Sequence, residues 1–361
     1  MPTTRTLRTL SVLLLGAVPF TAVACGSSSS SSATKAPGAS SSTAPSEPVT
    51  LRLGYFPNVT HAPALIGIEG GIFQKKLGSN VTLKPQSFNA GPDVVTGLFA
   101  DQLDASFIGP GPSTSAFQKS NGSAIRVVSG AASGGAFLVV KPSITSAADL
   151  KGKKIASPQL GNTQDIALRT WLKTKGYATD TACGGDVSVV PQDNALTLTA
   201  FEQGQIDGAW VPEPWATRLE KEGGGKVLVD EADLWPNGKF VTTDLVVTTK
   251  FLSDHPDVVK QLIEGEIAAI DLTKTNRSKA EGYVASGIQK ATGKAIAPAL
   301  VTASFDSITF TVDPIAASLK QDAKNAEALG LIPSSDVKGI YDLSILNQIL
   351  KAAAKPPING A

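Results

Sequence analysis

The sequence predicts an α/β protein in which two units of alternating strands and helices share one chain. From Val49 onward, short β-branched runs alternate with runs that have helical apolar spacing. This order is typical of parallel sheets covered by helices. The pattern restarts at Lys154, and a mostly helical segment follows the second unit. A hydrophobic fraction of 42% is consistent with a large core.

The first unit begins with an alternating run. Residues 49–55 alternate apolar and polar side chains, which predicts a half-buried strand. Gly91, Pro92 and Asp93 predict the start of a helix, because proline is favoured at the first helical position and an acidic side chain suits the first turn. The predicted strands of this unit are 49–55, 81–87, 105–109, 125–129 and 136–141, and the predicted helices are 62–73, 91–103 and 113–119.

The second unit repeats this order. Asn162 predicts a helix N-cap, and Gly176 predicts the end of the same helix. The predicted strands are 154–157, 187–190, 206–211 and 227–229, and the predicted helices are 163–175, 194–204 and 214–222. A strand at 245–249 then leads back to the first unit, and further helices are predicted at 256–274, 279–291, 314–329 and 343–354.

Two connections therefore cross between the units. We expect them near Val139-Val140 and near Asp244-Leu245. The first lobe would contain residues 49–140 and 245–361, and the second lobe would contain residues 141–244. Two such crossings form a hinge that permits closure around a ligand. The ligand would lie outside the carboxyl ends of the strands, beside helix N-termini.

The N-terminal residues predict export. Arg5 and Arg8 precede an apolar run at 10–20, and small residues then lead to Cys25, which is the order of a signal peptide at 1–24. A cysteine at the cleavage point resembles the bacterial lipoprotein signal, in which this residue becomes lipidated. The alternative is an ordinary signal peptide with an incidental cysteine. Residues 25–48 are rich in Ser, Ala and Pro, and this composition predicts a disordered linker.

Composition excludes several classes of function. The chain has 32 Lys and Arg residues against 31 Asp and Glu residues, so it lacks the basic balance of a nucleic-acid binder. Two histidines and two cysteines provide little material for a zinc site. The sequence contains no Gly-x-Ser-x-Gly elbow, phosphate-binding loop or zinc helix. We expect no catalytic residues, metal or cofactor.

Several stretches, in this order and spacing, resemble one known group. They are Gly54 to Asn58, Ala62 to Ala64, Phe88 to Pro92, Asp104 to Gly109, Ala148 to Ala156, Phe201 to Trp210, Glu213 to Trp215, Phe251-Leu252 and His255-Pro256. Most of 51–351 resembles the solute-binding proteins of bacterial ABC importers, in the nitrate, sulfonate and taurine group. The resemblance implies a class II two-lobed periplasmic-binding-protein fold. It also implies a monomer on the extracytoplasmic face of the cell membrane that delivers a small anionic ligand to an ABC permease. Its partners would be this permease and, through the permease, the ATPase.

The loops that follow the predicted strands carry Gly, Ser, Thr and Asn and no basic side chain. Helix N-termini and neutral donors of this kind suit a small oxyanion. The alternative is that these residues are ordinary turn formers and helix caps. The candidate ligand-binding residues are Tyr55, Phe56, Asn58, His61, Asn89, Gly91, Gly109, Gly111, Ser113, Ser133, Asn162, Thr163, Gln164, Glu213 and Trp215.

Two candidates have competing interpretations. Glu213 would either accept an amine of a taurine-like ligand or cap the helix that begins at Pro214. His61 would be a donor, a pH-sensitive contact or a structural residue.

An aliphatic sulfonate is the expected ligand, and nitrate, taurine and thiamine precursors are the alternatives. An enzyme of the same fold is a further alternative, but the related thiamine-pyrimidine enzyme has a cysteine-rich motif that this chain lacks. A sensor or adhesion module remains as a third possibility.

Overall fold

A computed structural model describes residues 47–360 of the protein. The predicted signal peptide, Cys25 and nearly all of the predicted linker lie outside these residues. The strands are β1 (Val49–Tyr55), β2 (Val81–Ser87), β3 (Ala105–Ile108), β4 (Ile125–Gly134), β5 (Ala136–Val140), β6 (Lys154–Ser157), β7 (Ser188–Pro191), β8 (Gly208–Pro212), β9 (Lys226–Asp230), β10 (Val241–Thr248) and β11 (Ile308–Phe310).

The helices fill the spaces between these strands and form most of the C-terminal part. They are α1 (Ala62–Glu69), α2 (Ile72–Leu77), α3 (Gly91–Phe99), α4 (Pro110–Lys119), α5 (Thr163–Thr174), α6 (Asn194–Glu202), α7 (Trp215–Lys221), α8 (Thr249–Asp254), α9 (Pro256–Thr275), α10 (Arg277–Thr292), α11 (Pro298–Asp306), α12 (Ala316–Ala328) and α13 (Ser344–Ala352). Within the described residues, no helix has the length and apolar character needed to cross a membrane.

The described strands form two sheets. The first sheet has the order β11-β4-β10-β3-β1-β2, and the second has the order β7-β6-β8-β5-β9. β1 runs parallel to β2 and β3, and β6 runs parallel to β7 and β8. β10 is antiparallel to both of its neighbours, as is β5. The buried faces consist of aliphatic and aromatic side chains, including Leu51, Leu53 and Phe107 in the first sheet region and Ile155 and Trp210 in the second.

The chain passes between the sheets at two places. Strand β4 belongs to the first sheet and β5 to the second, so the first crossing is at Gly135. Both Gly134 and Gly135 have positive φ angles, of 86° and 72°. A Cβ at Gly134 would lie 2.6 Å from the carbonyl oxygen of Ser307, so a side chain would not fit at this turn. The second crossing is formed by residues 231–240, between β9 and β10.

These positions differ from the crossings expected at Val139-Val140 and Asp244-Leu245. Val139 pairs with β8 and β9 of the second sheet, whereas Leu245 pairs with β3 and β4 of the first. Both runs are apolar and buried, so their periodicity indicates a strand without indicating which sheet it joins.

The part of the chain after β10 contains three elements that the sequence pattern did not predict, α8, α11 and β11. Strand β11 has only three residues and pairs with the edge of β4, so it is too short to show alternation. Strand β4 is also longer than the predicted 125–129, and β10 begins four residues before the predicted 245–249.

Three carboxyl groups are buried in the first sheet region. Asp244, Glu266 and Asp322 are between 0% and 4% exposed. Burial raises the pKa of Glu266 to about 8 and raises the pKa of Asp244 well above its ordinary value, with a further contribution from the charge of Glu266. Among the described residues, neither oxygen of Asp244 accepts a hydrogen bond. Burial likewise raises the pKa of Asp322, so the interior favours the protonated form of all three side chains.

The raised pKa of Glu266 predicts a stability change with pH. Between its ordinary pKa and about 8, the folded protein retains a proton that the unfolded chain has released, so the free energy of unfolding falls as pH rises through this window. In Glu266→Gln this contribution is absent. We expect the melting temperature of the variant to fall less than that of the parent between about pH 5 and pH 8. The control Glu327→Gln changes an exposed carboxylate on α12 and should follow the parent; equal slopes in all three proteins would contradict the prediction.

Candidate functional site

A small cavity lies between the two sheet regions, where the loops after β1, β2, β3, β6 and β7 meet the end of β8 and the start of β10. Its volume is about 20 Å³, measured as the space open to the centre of a water molecule. Among the residues that the structure describes, no charged side chain lines it. The lining residues are Phe56, Asn58, Thr60, His61, Asn89, Ala90, Gly91, Gly109, Pro112, Pro158, Asn162, Thr163, Gln164, Asn194, Pro212 and Thr242.

Helices α3, α4, α5 and α6 begin at this cavity, as does α1, whose N-cap is His61. Ala90 and Gly109 are the N-caps of α3 and α4, Asn162 is the N-cap of α5, and Asn194 is the first residue of α6. The first N–H groups of a helix have no intrahelical acceptor, and the helix dipole adds partial positive charge at the same end. The cavity is therefore electropositive without any lysine or arginine in its lining.

Asn58 is held from the side of the second sheet region. The indole Nε1 of Trp215 donates to Asn58 Oδ1 at 2.7 Å, and both side chains are buried. The backbone N–H of Val59 donates to the carbonyl oxygen of Glu213 at 2.9 Å. These two bonds join the loop after β1 to the start of α7, close to the crossing at Gly135, whose carbonyl oxygen accepts from the N–H of Glu213.

His61 is buried and neutral. Burial lowers the pKa of its imidazole to about 3. The backbone N–H of Phe56 donates to His61 Nδ1 at 3.3 Å, and the two rings lie 4.3 Å apart between centroids. Because Nδ1 accepts this bond, the single proton of the neutral ring is on Nε2.

The N-terminus of α5 places two side-chain amides at the cavity, those of Asn162 and Gln164. Asn162 Oδ1 accepts from the backbone N–H of Asp165 at 2.9 Å, and Asn162 Nδ2 donates to Gln164 Oε1 at 3.1 Å. Thr163 Oγ1 accepts from the backbone N–H of Gly111 at 3.4 Å, which joins the two sheet regions. A Cβ on Gly109 would lie 2.2 Å from Thr163 Oγ1, so the close approach at this point depends on glycine.

Asn89 bridges the cavity on another side. Its Oδ1 accepts from the backbone N–H of Asn194 at 3.3 Å, and its Nδ2 donates to the carbonyl oxygen of Pro158 at 3.5 Å. The loop after β2 is thereby connected to the loops after β6 and β7. Long bonds of this kind are weak.

A model described as the NMT1-like family matches residues 44–288, about two thirds of the chain. The chain belongs to the NMT1-like family. The taurine-binding periplasmic protein of Escherichia coli (strain K12) is 29% identical over 207 residues, which cover 57% of this chain and 62% of that protein. The chain thus spans less than two thirds of the length of this curated relative.

Solved structures show how this member of the NMT1-like family is built. The alkanesulfonate-binding protein SsuA from Xanthomonas axonopodis pv. citri, bound to MOPS, has a TM-score of 0.65 at 20% identity over 80% of this chain and 96% of that chain. The periplasmic nitrate-binding protein NrtA from Synechocystis PCC 6803 has a TM-score of 0.70 at 15% identity over 87% of this chain and 91% of that chain. These matches confirm the predicted two-lobed α/β fold of solute-binding proteins.

Nine of the candidate residues line the cavity of this NMT1-like protein. They are Phe56, Asn58, His61, Asn89, Gly91, Gly109, Asn162, Thr163 and Gln164. Gly111 and Trp215 lie one step away, since each hydrogen-bonds to a lining residue. Ser113 Oγ donates to the carbonyl oxygen of Gly109, and Ser133 lies within β4. Tyr55 ends β1 and packs against the core of the first sheet region.

Glu213 does not line the cavity. Its Oε1 accepts from Thr217 Oγ1 at 2.8 Å, and its Oε2 accepts from Thr217 N at 3.1 Å and Ser304 Oγ at 3.0 Å. Burial raises the pKa of Glu213. The carboxylate caps the first turn of α7 and also connects to α11. This arrangement agrees with the capping interpretation and leaves neither oxygen without a partner.

Some lining residues were not among the candidates. Asn194 begins α6 after β7, so the rule that selected Asn162 would also have selected it. Thr242 lies inside β10, and its Oγ1 donates to the carbonyl oxygen of Gly134. No local sequence pattern identifies Thr242 as a lining residue, because its position depends on the second crossing. The remaining lining residues that were not candidates are Thr60, Ala90, Pro112, Pro158 and Pro212.

The lowered pKa of His61 predicts a ring that stays neutral at physiological pH. Nitrogen chemical shifts of a ¹⁵N-labelled sample should show His61 protonated at Nε2 alone from about pH 5 to pH 8. His61→Gln would assign the signal by its disappearance. A His61 signal that titrates in this range would contradict the buried, neutral state.

Proposed function

We propose that the protein is the extracytoplasmic solute-binding component of an ABC importer, and that it holds a small oxyanion between its two lobes. The observation that carries the proposal is a cavity at the N-termini of α3, α4, α5 and α6, with neutral donors and with no charged side chain among its described lining residues. Backbone N–H groups and helix dipoles are a common means of binding anions. No bond is made or broken in this function, and the protein acts by closing around the ligand and opening to release it.

The proposed lobes follow the two sheets. The first lobe contains the strands before Gly135 and the part of the chain after 231–240, and the second lobe contains the strands between these crossings. Rotation about the two crossings would open the cleft. The long bond between Gly111 and Thr163, and those made by Asn89, are the contacts that opening would break at the cavity.

The ligand is proposed to be a short aliphatic sulfonate, with nitrate as the alternative. Relatives and structural neighbours are named for taurine, alkanesulfonate and nitrate binding. The volume of about 20 Å³ favours a small ligand, because one water needs roughly 10–15 Å³ on the same measure. Phe56 is the one aromatic side chain among the lining residues apart from the imidazole of His61, so the site offers little surface for a long alkyl chain.

A thermal-shift screen of the purified protein tests the proposal. The panel contains ethanesulfonate, taurine, sulfate, nitrate, phosphate, bicarbonate and a thiamine precursor. An anion at about a hundred times its dissociation constant stabilises the folded state by about 2.7 kcal/mol, which raises the melting temperature by several degrees.

The glycine at the point of closure provides the matched variant. In Gly109→Val, the side chain meets Thr163 and keeps the lobes apart, so we expect at least a tenfold loss of anion affinity without unfolding. The control Gly282→Ala places a Cβ in open space on α10 and should bind as the parent does. A panel with no stabilising anion, or full affinity in Gly109→Val, would count against the proposed closure on an anion.

The proposed location depends on Cys25. We propose that this residue is lipidated and that it tethers the protein to the outer face of the cell membrane through residues 25–48, as their composition suggests. Cys25→Ser should move the protein from the membrane fraction to the soluble fraction. A Cys25→Ser protein that still sediments with membranes after a salt wash would contradict the anchor.

A further inference from the structure

The amide side chains at the cavity each have one acceptor oxygen and one NH₂ group, and the neighbours decide which end is free. Some neighbours can only donate: a backbone N–H and an indole N–H have no acceptor function. Where such a group meets an amide, the amide oxygen must face it. The NH₂ group is then left for the ligand.

Asn58 is oriented in this way by Trp215. The indole Nε1 donates to Asn58 Oδ1 at 2.7 Å, so Asn58 Nδ2 is the free end. Gln164 is oriented through a relay of two bonds. The backbone N–H of Asp165 donates to Asn162 Oδ1, which leaves Asn162 Nδ2 to donate to Gln164 Oε1. Gln164 Nε2 is therefore the free end of the Gln164 amide.

His61 follows the same rule. The backbone N–H of Phe56 donates to Nδ1, so the neutral ring carries its proton on Nε2 and can donate from there. Asn89 Oδ1 accepts a hydrogen bond from the backbone N–H of Asn194. Within residues 47–360, none of Asn58 Nδ2, Gln164 Nε2 and His61 Nε2 donates a hydrogen bond to another residue. Three fixed side-chain donors thus accompany the N–H groups of the helix N-termini.

Among the described lining residues, Asn194 Oδ1 is a buried acceptor without a partner; because no donor fixes this amide, its NH₂ group can turn to the same place. The carboxylates of Glu213 and Asp165 lie outside the lining, and both already accept hydrogen bonds from the protein. Thr163 Oγ1 is occupied by the N–H of Gly111. A ligand group that donates would face the fixed donors of Asn58, Gln164 and His61, and a buried donor without an acceptor is costly.

We infer that the cavity selects oxyanions that carry no hydrogen-bond donor, and that Asn58, Gln164 and His61 determine this selectivity. The inference rests on the proposed function, because it concerns the ligand of the same cavity. It favours nitrate over bicarbonate, sulfate over hydrogen phosphate, and ethanesulfonate over taurine. In each pair the two anions are similar in shape and differ by a hydroxyl or an ammonium group.

Isothermal titration of the full protein with these three pairs tests the inference. We expect the donor-free anion of each pair that binds to have at least fivefold higher affinity, since an unpaired buried donor costs about 1–3 kcal/mol, or roughly fivefold to 150-fold in affinity. Ethanesulfonate and taurine form the most informative pair, because only taurine carries an ammonium group.

Gln164→Glu supplies the decisive variant. One carboxylate oxygen would still accept from Asn162 Nδ2, and the other would replace the free NH₂ group. We expect Gln164→Glu to lose ethanesulfonate affinity by at least tenfold and to bind taurine better than ethanesulfonate. Asn58→Asp makes the same exchange beside Trp215 and serves as the second variant if the first fails to fold. The control Gln205→Glu adds the same charge at an exposed position and should preserve the order of the parent.

The outcomes separate the two proposals. If taurine binds the parent as tightly as ethanesulfonate, or if Gln164→Glu and Asn58→Asp leave the order unchanged, the selectivity inference is wrong while the anion-receptor function stands. If none of the six anions binds the parent, the proposed function fails and the inference fails with it.

Discussion

The site depends on backbone N–H groups that cannot be paired inside their own helices. Helices α3, α4, α5 and α6 each follow a strand after a loop of one to five residues. Neighbouring parallel strands point their carboxyl ends to the same edge of a sheet, so the N-termini of the following helices meet there. Two sheets facing each other bring both sets to one cavity. The electropositive character of this cavity is therefore a property of topology, and it requires no basic side chain.

The hydrogen bonds that join the two lobes differ in donor–acceptor distance. Beside the crossing at Gly135, Trp215 donates to Asn58 at 2.7 Å and Val59 donates to Glu213 at 2.9 Å. The bonds of Thr163 to Gly111 and of Asn89 to the second lobe are 3.3–3.5 Å long, whereas Gln159 Nε2 donates to Asp93 Oδ1 at 3.0 Å beside the cavity. Because the long bonds are weak, they would add little to holding the lobes together where the ligand would lie. A bound anion would supply the missing hydrogen bonds to both lobes.

The sequence was most informative where one local rule applies. A strand, a short polar loop and a capped helix can be recognised from neighbouring residues, and this rule predicted Asn89, Gly109 and Asn162 at the cavity. It could not predict Thr242, whose position is set by pairing between β10 and β4. The crossings were misplaced for the same reason, since an apolar strand such as β5 carries no mark of the sheet that it joins.

Glu213 and Trp215 show a second limit. Both were candidate ligand contacts, with helix capping as the alternative for Glu213, and neither is among the lining residues. Both residues come soon after a strand, and their side chains are polar or aromatic. A residue that contacts a ligand would have the same features in the sequence. What separates the two roles is the direction of each side chain, and this depends on distant partners such as Ser304 on α11. Periodicity and composition contain no information about such partners.

A residue behind the lining can nevertheless influence what the cavity accepts. The structural neighbours named for alkanesulfonate and nitrate binding share this fold at 15–20% identity, so the backbone alone does not choose between ligands. The choice is left to the ends of a few side chains. In this protein a hydrogen bond from Trp215, which does not line the cavity, determines whether Asn58 offers an oxygen or an NH₂ group. Loss of that single indole N–H would free the amide to rotate, so part of the proposed selectivity is encoded one contact away from the ligand.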